Sequence, residues 1–389
     1  MAADRHWKVI IVGAGIGGLT AAATLRRVGM EVEVFERAGE LRPAGGALSL
    51  MSNAVLALRT LGIEPKFEEK SEVLSELHFV TTQGRPIRTM RFKEISEELG
   101  APCYGIHRTD LQQVLLAEIG DTPIHLDAEA TGFERDGAGV RVRFKNGTEA
   151  RGDILVGADG FSSAIRGQIT GPELPRDADY VCWLSTPYYQ DPRIPKAYGA
   201  HFWGRGARFG IANIGLGRIY WWGTKNLPAE QARTWHGSKQ EIVRTYAGWA
   251  DVIRDLIEAT PDEEILSVPA QDRPFIESWG SGPVTLLGDA AHPMLTSLGQ
   301  GAAVAMEDAV VLARQLADAA DPVSGLRAYE DRRRERTRRM VKMSRSMSRM
   351  EQAEGAIPVL LRNTYFRLLP QAAIDRQNRS TLDFNAIAR

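Results

Sequence analysis

A short apolar run, residues 9–12, breaks into Gly13-Ala14-Gly15-Ile16-Gly17-Gly18, and an alanine- and leucine-rich stretch at helical spacing follows over residues 19–28. The pattern predicts a buried strand, a tight glycine turn and a helix ended by Gly29. Residues 31–36 then alternate charged and apolar side chains as a second strand, and the strand, helix, strand order implies a parallel pair. Gly13 permits the tight turn, Gly15 lets the backbone approach a pyrophosphate, and Gly18 allows close packing of helix on strand. Phosphate charge would sit at the helix N-terminus, where unpaired N–H groups and the dipole favour anions. Glu36 follows at roughly the 20-residue distance at which a carboxylate takes ribose hydroxyls. The turn constrains this part of the chain to an α/β unit shaped for a dinucleotide, and by itself suits NAD and FAD equally.

The chain has 389 residues. That exceeds the ~250–300 at which a single core usually stops growing, so two interleaved domains are expected. Residues 111–119 read as a helix, and residues 139–144 with 148–156 as a hairpin turned at Asn146-Gly147. Residues 181–224 are rich in Trp, Tyr and Phe, punctuated by glycine and poor in helical periodicity, which points to an antiparallel sheet. Residues 284–287 form another buried strand and 302–319 a long helix. A second helical stretch, 326–350, is crowded with arginines. Its interspersed Glu330, Asp331 and Glu335 mark it as a solvated helix, and a formal net charge of −1 gives no reason to expect nucleic acid. Cys103 and Cys182 are far apart, so neither a disulfide framework nor a metal site is expected, and a reducing cytoplasm suits the chain. The glycine turn begins too soon after Met1 to leave room for a signal peptide, and no apolar run reaches the ~18 residues of a spanning helix. A soluble cytoplasmic protein, monomer or homodimer, is the expectation.

Two further elements name the cofactor. Ile154-Leu155-Val156-Gly157-Ala158-Asp159-Gly160 is an apolar strand ending in a tight turn, with Ser162 or Ser163 placed to cap a short helix containing Arg166. Val284-Thr285-Leu286-Leu287-Gly288-Asp289-Ala290-Ala291-His292-Pro293 again delivers an Asp at the carboxyl end of a strand, where ligands bind in open α/β sheets. Gly299-Gln300-Gly301-Ala302 then opens a helix that runs past Glu307 and Asp308.

With these three motifs in order, the chain resembles the class A, para-hydroxybenzoate hydroxylase-like FAD-dependent monooxygenases, a group that includes urate hydroxylases, salicylate and 6-hydroxynicotinate monooxygenases and zeaxanthin epoxidases. The likeness spans nearly the whole chain and is weakest after Met350. It implies an α/β fold: a Rossmann-like FAD-binding domain of the two-dinucleotide type with a parallel sheet, an interleaved antiparallel-sheet substrate domain, and C-terminal helices. The expected bounds are 1–72, 100–172 and 275–320 for the FAD-binding domain, 73–99 and 173–274 for the substrate domain, and 321–389 for the helical segment.

The implied cofactors are non-covalent FAD and NADH or NADPH as a transient reductant. The implied reaction inserts one oxygen atom of O2 into an aromatic, heteroaromatic or polyene-like small molecule through a flavin C4a-hydroperoxide. Gly13, Gly15, Gly18 and Glu36 would surround the AMP half of FAD, with Arg37 beside the adenosine. Arg108 would pair the pyrophosphate or ribityl chain, Asp159 would span FAD and NAD(P)H contacts, Asp289 would bind ribityl hydroxyls, and Ser49 in Gly45-Gly46-Ala47-Leu48-Ser49 would lie near the flavin. The helix opened by Gly299, Gln300, Gly301 and Ala302 would aim its N-terminus at the flavin edge that turns negative on reduction.

Pro293 matches the family proline near the reactive edge, and His292 is a candidate base. Trp203, Arg208, Tyr220 and Trp222 would form the substrate wall, with Tyr220 and Trp222 on one face of a strand and Trp221 on the other. Arg208 and Tyr220 fall where urate hydroxylases carry a substrate-site arginine and tyrosine, and Arg208 would favour an anionic substrate. Two departures stand out: Ser297 replaces the urate hydroxylases' aspartate, and Leu48 the early histidine of the 6-hydroxynicotinate enzymes. A plain NAD(P)-dependent dehydrogenase would need neither the second nor the third motif, and a flavin disulfide reductase would need a cysteine pair. A flavin oxidase or reductase of a hydrophobic substrate, or a flavin-binding protein that sequesters one, shares the same motifs.

Overall fold

The computed structural model describes residues 6–41, 46–137 and 139–384; Gly45 of the segment carrying Ser49 lies outside them. The first strand, Lys8–Val12, sits at the centre of a five-stranded sheet ordered Val284–Leu286, Ile154–Gly157, Lys8–Val12, Glu31–Phe35, Ile124–His125. Every pair is parallel, with Val9 opposite both Ile154 and Val32. Its central strands are apolar on both faces because both are covered. On one side the helix Ile16–Arg27 packs against the helices Gly301–Asp318 and Arg108–Ile119.

The expected hairpin turns at Asn146-Gly147, where Asn146 Oδ1 accepts the Thr148 N–H at 3.0 Å. Its second arm differs from expectation. Residues 148–156 are not one strand: Glu149–Gly152 completes a three-stranded antiparallel sheet, and Ile154–Gly157 crosses into the parallel one. The break falls at Asp153, whose carboxylate accepts the Lys8 N–H at 2.8 Å and pins the chain to the edge of the first strand.

The aromatic stretch builds a seven-stranded sheet, ordered Leu266–Asp272, Arg176–Ser185, Ile219–Asn226, Ala207–Asn213, Tyr198–Trp203, Glu76–Thr81, Pro86–Arg91. It is wider than residues 181–224 and not wholly antiparallel, since Tyr198–Trp203 and Glu76–Thr81 run side by side in the same direction. Trp183, Phe209 and Trp221 on its far face are buried with Tyr246, Ile253 and Leu256 from the segment carrying helices Lys239–Thr245 and Asp251–Ala259. Trp221 Nε1 donates to Thr260 Oγ1 at 2.9 Å. Tyr220 and Trp222 emerge on the opposite face, as strand alternation requires.

The arginine-rich helix corrects the solvated reading. It spans Pro322–Glu351, with Asp321 capping the Ser324 N–H at 3.0 Å and proline at its first position. Arg333 is buried and donates to Asp308 at 2.6 Å and Glu307 at 2.7 Å. Arg336 forks onto both oxygens of Glu307 at 2.6 Å. The charges are mixed in sequence, but one face of the helix carries guanidinium groups into the interior to meet two carboxylates.

Burial raises both carboxyls, yet their partners overcome it: Arg336 and Arg333 hold Glu307 below its ordinary value, and His292 and Arg333 hold Asp308 below its own. A carboxyl depressed by folding stabilises the native state above its unfolded pKa, about 4, and that stability is lost as pH falls through the lower folded value. We expect acid unfolding monitored by circular dichroism to begin below about pH 4, and Glu307→Gln combined with Asp308→Asn to weaken that dependence. An unchanged acid limb in the double variant would exclude these carboxylates as its source.

Candidate active site

The glycine turn is built as the sequence implies. Gly13 has φ +108° and donates its N–H to Phe35 O at 2.7 Å, and a Cβ at Gly18 would sit 1.9 Å from Gly13 O. At Gly15, by contrast, a Cβ would meet nothing within 4 Å. The turn is therefore crowded on the strand side and open on the side from which a pyrophosphate would approach. Gly15 itself caps the helix Ile16–Arg27 without a side-chain hydrogen bond, so no side chain competes for the first-turn donors. Glu36 accepts the N–H groups of Ala14 at 2.7 Å and Ala38 at 3.0 Å, and Arg37 beside it is exposed.

Asp159 does more locally than its motif suggested. It accepts from Ser163 Oγ at 2.5 Å and the Ala164 N–H at 2.8 Å, while Ser163 caps the Arg166 N–H at 2.9 Å. Arg166 is buried, is paired with Glu173, and donates to the carbonyls of Ala290 and Ala291 at 3.2 and 2.9 Å. One arginine thus ties the second motif to the third.

Just past the strand Val284–Leu286, Asp289 is exposed and accepts no hydrogen bond among the described residues. Crowding by protein raises its carboxyl above the ordinary value, and His292 and Arg108 pull it back. Arg108 opens the helix Arg108–Ile119, and its exposed guanidinium makes no hydrogen bond among the described residues. Ser49 lies beside Gly299, which turns at φ +61°. Gln300 accepts from Asn53 Nδ2 at 3.0 Å, leaving the helix Gly301–Asp318 without a side-chain cap. Gly301 and Ala302 form its half-buried first turn.

Pro293 is buried, and so is His292, at 1% exposure. His292 Nε2 lies 2.6 Å from Asp308 Oδ2, inside the Arg333 cluster. The structure corrects its candidacy as a base: it is shut away from solvent and serves the buried charge network instead.

On the aromatic sheet, the rings of Tyr220 and Trp222 lie 5.1 Å apart. Tyr220 packs against Gly46, just ahead of the strand Ala47–Leu50 that carries Ser49. A Cβ at Gly210 would sit 2.0 Å from the Trp222 indole, so that ring lies flat on bare backbone. Burial raises the Tyr220 hydroxyl above its ordinary value, keeping it protonated.

Arg208 and Trp203 depart from expectation. Trp203 stands opposite Arg208 in register, but packs with Phe79 at 4.7 Å and Phe366 at 4.9 Å, beneath Arg362 at 5.0 Å. The helix Ala356–Leu368, which carries Phe366 and Arg362, covers it, and the His201 ring stands between it and Trp222, 6.0 Å from the one and 5.5 Å from the other. Arg208 is 2% exposed and ion-paired with Glu351, itself 1% exposed. It also donates to Ser297 Oγ at 3.3 Å and stacks 5.7 Å from the Tyr180 ring. His201 Nδ1 lies 3.6 Å from Glu351, and burial pushes this imidazole well below its ordinary value, so it is neutral. Sequence reasoning missed Glu351 and His201. Glu351 is the last residue of a charged helix, and nothing in its spacing announces a partner on a strand.

The fold and the three joined motifs define a flavoprotein, and the comparisons give its class. A family model described as an FAD binding domain matches residues 6–344, and the chain belongs to the FAD-dependent monooxygenases. It is 37% identical over 379 residues to the aurachin C monooxygenase/isomerase of Stigmatella aurantiaca, covering 97% of this chain and 98% of that protein. It is 32% identical over 354 residues to the FAD-dependent urate hydroxylase of Klebsiella pneumoniae subsp. pneumoniae, covering 87% and 88%. Klebsiella pneumoniae HpxO complexed with FAD and uric acid superposes with a TM-score of 0.90 at 28% identity over 98% of each chain. FAD is the cofactor, and NAD(P)H is the reductant typical of the family. Among the described residues no helix is long and apolar enough to cross a membrane.

Proposed function

We propose that this protein transfers one oxygen atom of O2 to a planar aromatic or heteroaromatic small molecule held against Tyr220 and Trp222. The observation that carries the reading is that Arg108 acts electrostatically on both Asp289, at the carboxyl end of a parallel strand, and Tyr220 on the aromatic sheet. The open side of Gly15, the unpartnered Asp289 and Arg108 and the uncapped helix at Gly301 supply the cofactor side, and the aromatic pair reaches the same strand that bears Ser49. These groups fit FAD: donors for its phosphates, Glu36 and Arg37 for its adenosine, Asp289 and Arg108 for its central chain, and a helix N-terminus for its negative edge. When bound, the flavin supplies the activation of O2 with electrons from NAD(P)H.

The chain's own residues bind, orient and exclude water. Tyr220 and Trp222 hold the plane of the substrate, and the protonated Tyr220 hydroxyl offers it one hydrogen bond. Ser49 and Gly299 close the cleft beside them, with Pro293 beside the reacting edge. We assign residues 73–99 and 173–274 to the substrate unit and the parallel-sheet segments to the FAD unit.

The test is coupling. With the aromatic compound that most accelerates flavin reduction, Tyr220→Phe and Trp222→Ala should keep bound FAD and NAD(P)H oxidation while product falls several-fold and hydrogen peroxide rises to match. A displaced substrate leaves activated oxygen to decay, so uncoupling is the signature of lost positioning. Wild-type coupling in both variants would remove the sheet from the substrate site.

A further inference from the structure

Arg208 enters the aromatic face with its charge already answered. Its guanidinium and the Glu351 carboxylate are an ion pair with both side chains sealed from solvent, and its other contacts, Ser297 and the Tyr180 ring, are neutral. Among the described residues, no second cation hydrogen-bonds the Glu351 carboxylate. His201 is neutral, and Arg362 spends its donors on the backbone carbonyls of Met350, Glu351 and Gly204 and on the Asn363 side chain. A carboxylate ligand that reached Arg208 would have to share this one cation with Glu351. Two buried carboxylates competing for the one guanidinium that faces them leave one of them desolvated without a hydrogen-bonded counter-ion, which disfavours the complex. A neutral ring meets no such penalty.

We propose that Glu351 is a specificity-determining residue, a resident counter-ion that neutralises Arg208 and restricts this site to uncharged aromatic substrates. This rests on the substrate-wall reading above and replaces the expectation that Arg208 favours an anion. Arg208 positions Ser297, just before the turn at Gly299, and so links the sheet to the flavin loop through a neutral hydroxyl. Discrimination then comes from a built-in repulsive element, with the aromatic contacts supplying the attraction.

The experiment uses FAD-loaded enzyme titrated with hydroxyquinoline and with kynurenate, the same ring bearing a carboxylate, each followed by perturbation of the flavin absorbance. Glu351→Gln keeps the shape and removes the anion. We expect it to bind kynurenate at least about tenfold more tightly than wild type does, because Arg208 is left with an unanswered charge. In the double variant Glu351→Gln with Arg208→Gln no charge remains, and the gain should vanish; this form also controls for any loss of stability in the single variant. A Glu351→Gln enzyme with no gain for kynurenate, or a wild type that prefers kynurenate to hydroxyquinoline, overturns the proposal. Trp222→Ala titrated with hydroxyquinoline separates the two levels: weakened binding there, without the Glu351→Gln gain, leaves the substrate wall standing and removes only the charge rule.

Discussion

Arg333→Met should destabilise the holoenzyme by about 3–5 kcal/mol, the usual cost of breaking a buried ion pair from one side. Arg333 holds Asp308 at 2.6 Å and Glu307 at 2.7 Å, and all three are sealed from solvent. After the substitution Glu307 keeps Arg336, but Asp308 keeps no guanidinium, only the His292 imidazole and the Gly288 N–H. The shortfall therefore falls on one carboxylate. Adding Asp308→Asn to Arg333→Met should recover much of the loss, since a buried pair replaced at both ends is often close to neutral. Urea denaturation checks both, and an Arg333→Met midpoint equal to wild type would mean the cluster is better hydrated than its geometry states.

Asp289→Ala should weaken FAD binding about 10- to 150-fold, equivalent to the ~1.5–3 kcal/mol of a hydrogen bond to a charged acceptor. The side chain is exposed and accepts no hydrogen bond from the described protein, so its removal strands no donor and costs the fold little. Stability of the apoprotein should therefore hold while affinity falls. Titration of FAD into the apo-variant by flavin fluorescence reads this directly, and an unchanged Kd would take Asp289 out of the site.

The elements legible in the sequence were those set by local chemistry. Gly13, Gly15 and Gly18 were interpretable because each answers a steric demand within its own turn, and Ser163 because a cap and its helix are neighbours in the chain. Strand alternation placed Tyr220 and Trp222 on one face for the same reason. Long-range pairing was not legible. Residues 148–156 alternate plausibly as one strand, and only the bond between Asp153 and Lys8, 145 residues apart, shows that the chain changes sheets there. The helix Pro322–Glu351 carries enough mixed charge to pass for a solvated surface, since composition does not say which face meets a carboxylate. Arg208 was located correctly on the sheet, but its meaning depends on Glu351 at the end of that distant helix.

The Arg333 cluster also has a consequence for how the chain is made. Glu307 and Asp308 belong to the helix Gly301–Asp318, which packs on the glycine-turn helix Ile16–Arg27. Burying either carboxylate is costly until Arg333 and Arg336 are present to receive it. A ribosome delivers those arginines after every strand of both large sheets has already left it. We therefore expect the unit begun first to be completed late, against the usual order in which amino-terminal domains fold ahead of later ones. Nascent chains shorter than about residue 336 should stay open around this helix, and we expect FAD to be held firmly only once both arginines have emerged.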